Sequence, residues 1–231
     1  MYRYIDFIST YCDSWCERCP FTERCSHFAV KSALVMCDSD WHAAIELAIG
    51  PPRVPGAEPP KALAERMADA LGDYEEPTRK ELDEIGRELD ERDARTRRHP
   101  LSESSQDYSV GAYRWLDGLP RPSIASSEAL AVVQWDMFLI HVKTVRALNG
   151  RDEYPNGAPF ERGAVQSDWN GSAKVALISM ERSERAWREI AAALHDEGAA
   201  ALADSLAALC SAMKEEFPRA MEFRRPGFDA A

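Results

Sequence analysis

The stretch that decides the fold is SEALAVVQWDMFLIHVKTVRAL, residues 127–148. Apolar side chains occur in it at almost every angle around a helical axis, and it contains no glycine or proline. A helix that is apolar on all sides belongs in the middle of a bundle, so we expect these residues to form a central helix. Asn149-Gly150 follows directly and predicts where that helix ends.

The segments on either side of the central stretch have helical periodicity as well. Apolar residues three and four positions apart predict a helix that ends at Gly118. A second helix is expected to begin at Asn170 or Ser172 and to end near His195, and a third follows Gly198. The expected core faces are Tyr108, Ala112, Trp115 and Leu119 in the first, Leu177, Met180, Trp187, Ala191 and Leu194 in the second, and Leu202, Leu206, Leu209, Met213 and Phe217 in the third.

The N-terminal region predicts two helices followed by a connector. A helical run from about His27 to Ile49 is broken near residues 38–40, where small polar side chains can cap a second helix. Gly50 ends that helix. Five prolines among the eleven residues 50–60 are too many for a helix or a central strand, and they predict an extended connector.

Beyond the connector, the pattern predicts a short helix and then a surface helix. The short helix is expected to stop at Gly72, and its apolar face is Leu63, Met67, Ala70 and Leu71. Thr78 and Glu81 form a capping box for the surface helix, whose apolar stripe is only Leu82, Ile85 and Leu89. Because residues 73–98 carry ten acids and seven bases, we expect this helix to lie at the surface.

These elements together predict an all-α protein: a multi-helix bundle with an N-terminal four-cysteine metal-binding loop. No segment shows the period-two alternation of a half-buried strand bounded by turns. The expected organisation is a cysteine-bearing segment with its helices in 1–49, the proline-rich connector in 50–60 and the helical bundle in 61–231. Alternatively, residues 1–49 pack on the bundle as part of one domain.

The charge of the chain restricts its partners. Its 28 basic and 39 acidic residues give a formal net charge of −11, which repels nucleic-acid phosphates and anionic membrane surfaces. We therefore expect neither nucleic acid nor a membrane as partner. No apolar run is long enough to span a bilayer, and the N-terminus lacks the apolar stretch of a secretory signal, so we expect a cytoplasmic location.

The strongest chemical feature is a cysteine cluster with the spacing C-x3-C-x2-C-x5-C. Four thiolates this close in sequence can converge on one tetrahedral ion or one cubane cluster, because soft sulfur suits zinc and iron–sulfur centres alike. Structural zinc sites usually bring together two separated pairs of ligands, whereas these four lie in one compact stretch. The spacing favours a [4Fe–4S] cluster over zinc, with the predicted ligands Cys12, Cys16, Cys19 and Cys25.

The last three cysteines carry a resemblance. The segment 16–25, C-x2-C-P-x4-C, resembles the end of the iron–sulfur loop in endonuclease III and adenine-glycosylase proteins, where four cysteines hold a [4Fe–4S] cluster. The likeness covers ten residues and departs at Cys12, which is separated from the next ligand by three residues instead of six. The helix-hairpin-helix and the catalytic Lys and Asp pattern of those enzymes are absent from the sequence. The resemblance thus implies a cluster and not a DNA glycosylase.

Other interpretations of the cysteines remain open. The C-x3-C-x2-C portion matches the radical S-adenosylmethionine signature, but that family places three ligands on a loop of a β/α barrel. Two disulfides would need an oxidising compartment. His27 could substitute as a ligand, and Cys37 and Cys210 lie on apolar helical faces, where cysteine usually behaves as a small apolar residue.

Polar residues within the predicted central helix are the second candidate site. Gln134 and His141 lie seven residues apart on one side, and Asp136 and Lys143 on another, so all four are expected to be buried. Buried polar groups need partners, and Glu184 on the neighbouring predicted helix is a candidate. The simpler interpretation is a structural pair, of Asp136 with Lys143 or with an arginine.

A third arrangement is weaker. Asp38, His42 and Glu46 would share a face and could chelate a metal if one helix ran through them, but Asp38 or Ser39 as an N-cap explains the pattern more simply. The sequence contains no glycine-rich phosphate loop, no Gly-x-Ser-x-Gly elbow and no His-Glu-x-x-His motif, so it offers no basis for nucleotide hydrolysis, esterase or zinc-protease activity.

Three functions are consistent with these patterns. The first is an iron–sulfur (or zinc) protein with a structural or electron-transfer role and a redox protein partner. The second is an enzyme whose site inside the bundle uses His141, Asp136 and Glu184. The third is a zinc-stapled adaptor that binds another protein through the acidic helix 79–95.

Overall fold

The computed structural model describes residues 4–50, 77–119, 128–154 and 163–229, and the regular structure within these ranges is entirely helical. The prediction of an all-α protein is therefore confirmed. The chain divides into two compact units, which are described separately. Unit one contains Met1–Ile5 and Cys19–Asp90, and unit two contains Asp6–Arg18 and Glu91–Ala231.

Unit one contains a hairpin of two helices, α1 (Ser26–Met36) and α2 (Trp41–Ile49). The break between them is where the sequence predicts it, because Asp38 and Ser39 take up left-handed backbone conformations with φ of 47° and 69°. The N-cap of α2 is Asp40, whose Oδ1 accepts hydrogen bonds from the N–H groups of residues 42 and 43. The expectation of Asp38 or Ser39 as the cap was wrong by one or two residues.

The long surface helix α3 (Arg79–Arg97) begins with the predicted capping box. The Thr78 N–H donates to Glu81 Oε2 at 2.7 Å, and the Glu81 N–H donates to Thr78 Oγ1 at 3.3 Å. Its apolar stripe remains in solvent, with Leu82, Ile85 and Leu89 being 53, 48 and 44% exposed. The predicted surface position is confirmed for this part of the helix.

In unit two, the described residues form a bundle of four helices together with the end of α3. The four helices are α4 (Pro100–Asp117), α5 (Glu128–Glu153), α6 (Asp168–Leu194) and α7 (Glu197–Glu216). Among the described helices, α5 and α6 form the most extensive pair, and α7 packs on both α6 and α4. Large side chains from all four helices meet in one core, which includes Tyr108, Val133, Ile140, Leu177, Met180, Trp187, Leu206 and Met213. Burial of this apolar surface is the main force that holds the bundle together.

The central helix α5 departs from its prediction in two ways. One side of it faces solvent, since Phe138 and Val142 are 53 and 58% exposed, so apolar residues around the whole axis did not mean burial around the whole axis. The helix also continues past Asn149-Gly150 to Glu153. A Cβ at Gly150 would lie 3.3 Å from Trp169 Cβ, so this glycine serves close helix packing and is not a cap.

Tertiary contacts explain the extra turn of α5. Arg95 Nη2 lies 2.8 Å from Asp152 Oδ2, and Arg92 Nη1 lies 2.5 Å from Glu153 Oε2. The Thr96 hydroxyl also hydrogen-bonds the Asn149 side chain. These partners come from the end of α3, more than fifty residues earlier, and a local stop signal carries no information about them.

The start of α6 differs from its prediction, whereas most of the predicted core face of α7 is buried. Ser167 Oγ accepts the Asn170 N–H at 3.3 Å and is the N-cap of α6, whereas Asn170 and Ser172 lie buried within the helix. The predicted start was therefore late. Leu194, expected in the core, is 40% exposed. The predicted face of α7 is confirmed, because Leu206, Leu209, Met213 and Phe217 are all buried.

A short C-terminal segment packs back on α6. The buried Lys174 ammonium donates to the Phe223 carbonyl at 2.7 Å, to the Met221 carbonyl at 3.2 Å and to Asp229 Oδ2 at 2.7 Å. Burial would raise the pKa of Asp229, but the hydrogen bonds from Lys174 and Arg225 outweigh it and lower that pKa to about 2.

Some predictions fall on residues that are not described. The proline-rich connector after Gly50, the short helix with Leu63 and Leu71, and much of the loop before Trp169 lie outside the described residues. The division into 1–49, 50–60 and 61–231 stays a prediction. In the described part of the chain, no helix is sufficiently long and apolar to cross a membrane.

Candidate metal-binding segment and its support

The four clustered cysteines lie in one stretch, residues 12–25, which we call the cysteine segment. Cys12 and Cys16 belong to unit two, and Cys19 and Cys25 belong to unit one. Cys25 is buried, and the other three are half-buried. All six cysteines of the chain are among the described residues, and no disulfide links any of them.

Backbone N–H groups point at sulfur atoms in this segment. The Ser14 N–H lies 3.4 Å from Cys12 Sγ, the Phe21 N–H 3.4 Å from Cys19 Sγ and the Phe28 N–H 3.4 Å from Cys25 Sγ. Each donor follows its cysteine by two or three residues, so the arrangement depends only on local turns. Hydrogen bonds from N–H groups to sulfur are also a feature of the ligand shells of metal–thiolate centres.

Local structure places two of the cysteines at the starts of helical turns. Cys25 is the N-cap of α1, and its Sγ accepts the Phe28 N–H. Cys16 begins the 3-10 turn Cys16–Arg18. A second 3-10 turn, Thr22–Arg24, fills the longer spacing before Cys25.

In unit two, an ion-pair network holds the first half of the segment on the bundle. Arg182 of α6 bridges two carboxylates, because its Nη1 lies 2.8 Å from Asp13 Oδ2 while its Nη2 and Nε lie 2.6 and 2.9 Å from the two oxygens of Asp136. Ser183 Oγ donates to Asp136 at 3.1 Å. Asp13, next to Cys12, is thereby tied to a completely buried carboxylate of α5.

Electrostatics in this network follow from burial. Burial raises the pKa of Asp136, and the hydrogen bonds from Arg182 oppose that effect. Burial would lower the pKa of Arg182, but its bonds to Asp136 and Asp13 outweigh it and raise that pKa well above the ordinary value. The guanidinium therefore remains charged, and neither acid is left without a counter-charge.

Aromatic packing fixes the residue between the first two cysteines. Trp15 stacks on Trp135 of α5 with ring centroids 5.1 Å apart and planes 11° apart. The Arg18 guanidinium lies over the Trp15 ring, 3.8 Å from its centroid, and forms an ion pair with Glu128. Trp135 Nε1 also donates to the Asp13 carbonyl at 2.8 Å.

A third set of contacts holds the residues just before Cys12. The buried Lys143 ammonium donates to the Thr10 carbonyl at 2.9 Å, and the Tyr11 hydroxyl donates to Asp168 Oδ1 at 3.2 Å. The Tyr11 ring lies directly over the Cα of Gly171, where an added Cβ would be 2.5 Å from Tyr11 Cδ1. Tyr11 can approach α6 this closely only because residue 171 has no side chain.

The residues predicted for an enzyme site inside the bundle have separate partners. His141 is half-buried with its Nδ1 2.9 Å from Ser105 Oγ, and burial lowers its pKa. Asp136 pairs with an arginine, which is the simpler interpretation of its burial, and Glu184 pairs with Arg188 of its own helix at 3.4 Å. Lys143 is buried as expected. Gln134, in contrast, is exposed.

The weaker predictions of ligands do not find support in the geometry. Asp38 precedes α2 and lies outside it, so Asp38, His42 and Glu46 do not share one helix. His27 is exposed in the first turn of α1. Across the described ranges, no group of three or more His, Cys, Asp or Glu side chains is arranged to hold a metal ion. This finding includes Cys12, Cys16, Cys19 and Cys25, so the predicted four-cysteine metal-binding loop is not shown.

Sequence reasoning missed Arg182, Trp15 and Gly171, which support the segment. Arg182 has no local signal that sets it apart from the other charged residues of α6, and its partner Asp13 is 169 residues away in sequence. Gly171 offered a weak signal, since a glycine costs about 1 kcal/mol inside a helix and needs a packing reason.

Comparison with known proteins adds no assignment: no family model, no curated protein and no solved structure matches this chain.

Proposed function

We propose that this chain is a metal-binding helical protein with a structural or electron-transfer role. The cofactor is a [4Fe–4S] iron–sulfur cluster in preference to a zinc ion. Its ligands are the four cysteines of the cysteine segment: Cys12, Cys16, Cys19 and Cys25. The observation that carries the proposal is the set of backbone N–H groups aimed at sulfur, 3.4 Å from Cys12, Cys19 and Cys25.

The chemistry of this donor set fits a metal–thiolate site. The sulfur atoms form no disulfide bonds, three of them accept N–H groups from their own turns, and Cys25 lies at a helix N-terminus. Metal–thiolate centres use such N–H···S bonds to offset the negative charge of the ligands. The same surroundings would suit zinc, so the preference for iron–sulfur rests on the spacing and on the resemblance of residues 16–25 to a known cluster loop.

A [4Fe–4S] cluster supplies one-electron transfer when bound. The contribution of the chain would be to hold the ligand loop rigid and to limit its contact with water. Within unit two, residues 13–15 are anchored on the bundle at both ends. Asp13 pairs with Arg182, and Trp15 stacks on Trp135. If electrons are exchanged with another protein, the net charge of −11 would steer docking toward a basic redox partner.

We also propose a cytoplasmic location. Thiolate ligands persist where glutathione and thioredoxin keep cysteine reduced, and no disulfide occurs among the six cysteines.

The test is anaerobic purification followed by metal and sulfide analysis and visible absorption on the same sample. We expect about four iron and four sulfide per chain and a broad absorption band, as for [4Fe–4S] proteins. Cys19→Ser should lose both the band and most of the iron, because Cys19 is a ligand in the middle of the spacing.

The matched control is Cys37→Ser, which changes a half-buried cysteine in the same unit but outside the cysteine segment. It should leave iron, sulfide and absorption unchanged. A colourless protein with one zinc per chain would replace the redox role by a structural zinc site. If neither metal binds, or if Cys37→Ser and Cys19→Ser behave alike, the four cysteines are not the ligands.

A further inference from the structure

The first half of α3 carries an apolar stripe that is open to solvent. Leu82, Ile85 and Leu89 are 53, 48 and 44% exposed, and they occupy positions i, i+3 and i+7. Residues at this spacing line one helical face and correspond to successive a and d positions of a heptad. Gly86 lies beside the stripe, and a Cβ added there would meet nothing within 4 Å. This face of the helix is therefore accessible over residues 82–89.

The edges of the stripe are mainly acidic. At 100° per residue, Glu81 and Glu88 lie along one edge, and Gly86 and Asp90 lie along the other, with Arg79 at the first turn. All four charged side chains are exposed. The hydrogen bonds from the Thr78 side chain and backbone lower the pKa of Glu81, so this carboxylate is ionised at neutral pH.

The charge pattern argues against a second copy of the chain as occupant. In an antiparallel helix pair, the edge that holds Glu81 and Glu88 would face the same edge of the other copy. In a parallel pair, Glu88 would face Asp93. Both arrangements place like charges opposite each other, which is destabilising. A helix with basic residues at those positions would instead form ion pairs while covering the same apolar stripe.

We propose that residues 79–91 of α3 form a docking site for a basic amphipathic helix of a partner protein. Its apolar face would pack on Leu82, Ile85 and Leu89, and its Lys or Arg side chains would face Glu81 and Glu88. The stripe spans about two helical turns, roughly 10 Å, which is short beside the three or four heptads of a stable coiled coil. The complex is therefore weak, reversible and sensitive to salt. It does not depend on the metal content of the cysteine segment.

The experiment is a fluorescence-anisotropy titration of the full chain against labelled synthetic helices. The probe is a three-heptad peptide with leucine and isoleucine in its apolar seam and lysine at the flanking positions. One control peptide carries glutamate at the flanking positions. A second keeps the lysines but has serine in the seam, because any cationic peptide is attracted to a chain of net charge −11.

We expect the lysine-flanked probe to bind at least tenfold more tightly than either control peptide, and to weaken at high salt. The variant Leu82→Gln with Leu89→Gln should reduce its affinity at least tenfold, since glutamine keeps the helix propensity and removes the apolar surface. Val142→Gln, at an equally exposed position in unit two, should bind like the parent chain.

Three results would overturn the proposal. Equal binding of the serine-seam peptide would reduce the interaction to non-specific charge attraction. Equal binding of the glutamate-flanked peptide would show that Glu81 and Glu88 do not select a basic partner helix. A dimer of the parent chain in sedimentation experiments that dissociates in the double variant would show that a second copy is the occupant.

Discussion

The substitution Gly171→Ala tests whether Tyr11, the residue before the cysteine segment, is held on α6 in the way the structure indicates. The new Cβ would lie 2.5 Å from Tyr11 Cδ1 and 2.8 Å from Phe223 Cζ, whereas carbon atoms in contact prefer about 3.5–4.0 Å. The Tyr11 ring must therefore shift by about 1 Å or more. Its hydroxyl bond to Asp168 and its contact with Phe223, at 4.7 Å between ring centroids, resist that movement.

The magnitude is best given as a difference from a matched variant. Overpacking a well-packed site costs about 1–3 kcal/mol, while replacing glycine by alanine within a helix gains up to about 1 kcal/mol. Gly111→Ala in α4 of the same unit has the same helical gain, and its nearest neighbour is the flexible end of Leu202 at 3.2 Å. We expect Gly171→Ala to be about 1–3 kcal/mol less stable than Gly111→Ala, since the helical term cancels.

Urea denaturation followed by circular dichroism measures this difference. A second readout is the alkylation rate of Cys12 in the metal-free chain, resolved by peptide mass spectrometry. Displacement of Tyr11 should speed the labelling of Cys12 and leave Cys37 unchanged. The reasoning is refuted if Gly171→Ala is as stable as Gly111→Ala and Cys12 is labelled at the parent rate, because the close approach of Tyr11 would then not exist in solution.

Three further predictions concern buried charge. Arg182→Ala leaves the completely buried Asp136 without its counter-charge. It should lower the free energy of unfolding, measured by urea titration, by about 3–5 kcal/mol, and a loss under about 1 kcal/mol would contradict the ion-pair network. The pKa of Asp229 is lowered in the folded state, so the contribution of its carboxylate to folding stability should be complete above the unfolded pKa of 3.8 and should disappear as the pH falls toward about 2. Asp229→Asn should therefore flatten the plot of unfolding free energy against pH over that range. Burial lowers the pKa of His141 below 6.5, so stability should decline as the pH falls below about 6.5 because the unfolded chain takes up the proton more readily. His141→Gln should reduce that decline, and a profile that this substitution leaves unchanged would count against burial of His141.

Much of the fold could be predicted from local patterns. Helical periodicity identified the helices that the described residues show, and the capping box at Thr78 is present as expected. These features depend on residues within three or four positions of each other, so the sequence carries the whole signal. Cap positions were less certain, because Asp40 and Ser167 compete with other small polar residues nearby, and the backbone conformation selects among them.

The candidate site was predictable only in part. The spacing of its cysteines is visible in the sequence, and the N–H donors to their sulfurs come from residues two or three positions ahead. The residues that hold the segment in place were not predictable. Arg182 could have been one more solvated charge of α6, and the paired burial of Asp136 had several candidate partners.

The sequence by itself determined that the chain is helical, where most helices lie and which cysteines are grouped, because each of these follows from short-range periodicity and spacing. Only the tertiary structure decided that α5 extends to Glu153, that Phe138 faces solvent and that Arg182 bridges Asp13 and Asp136. The physical reason is the same in each case. An ion pair, a close helix contact or an exposed face depends on groups brought together from distant positions, and no local pattern specifies which groups will meet.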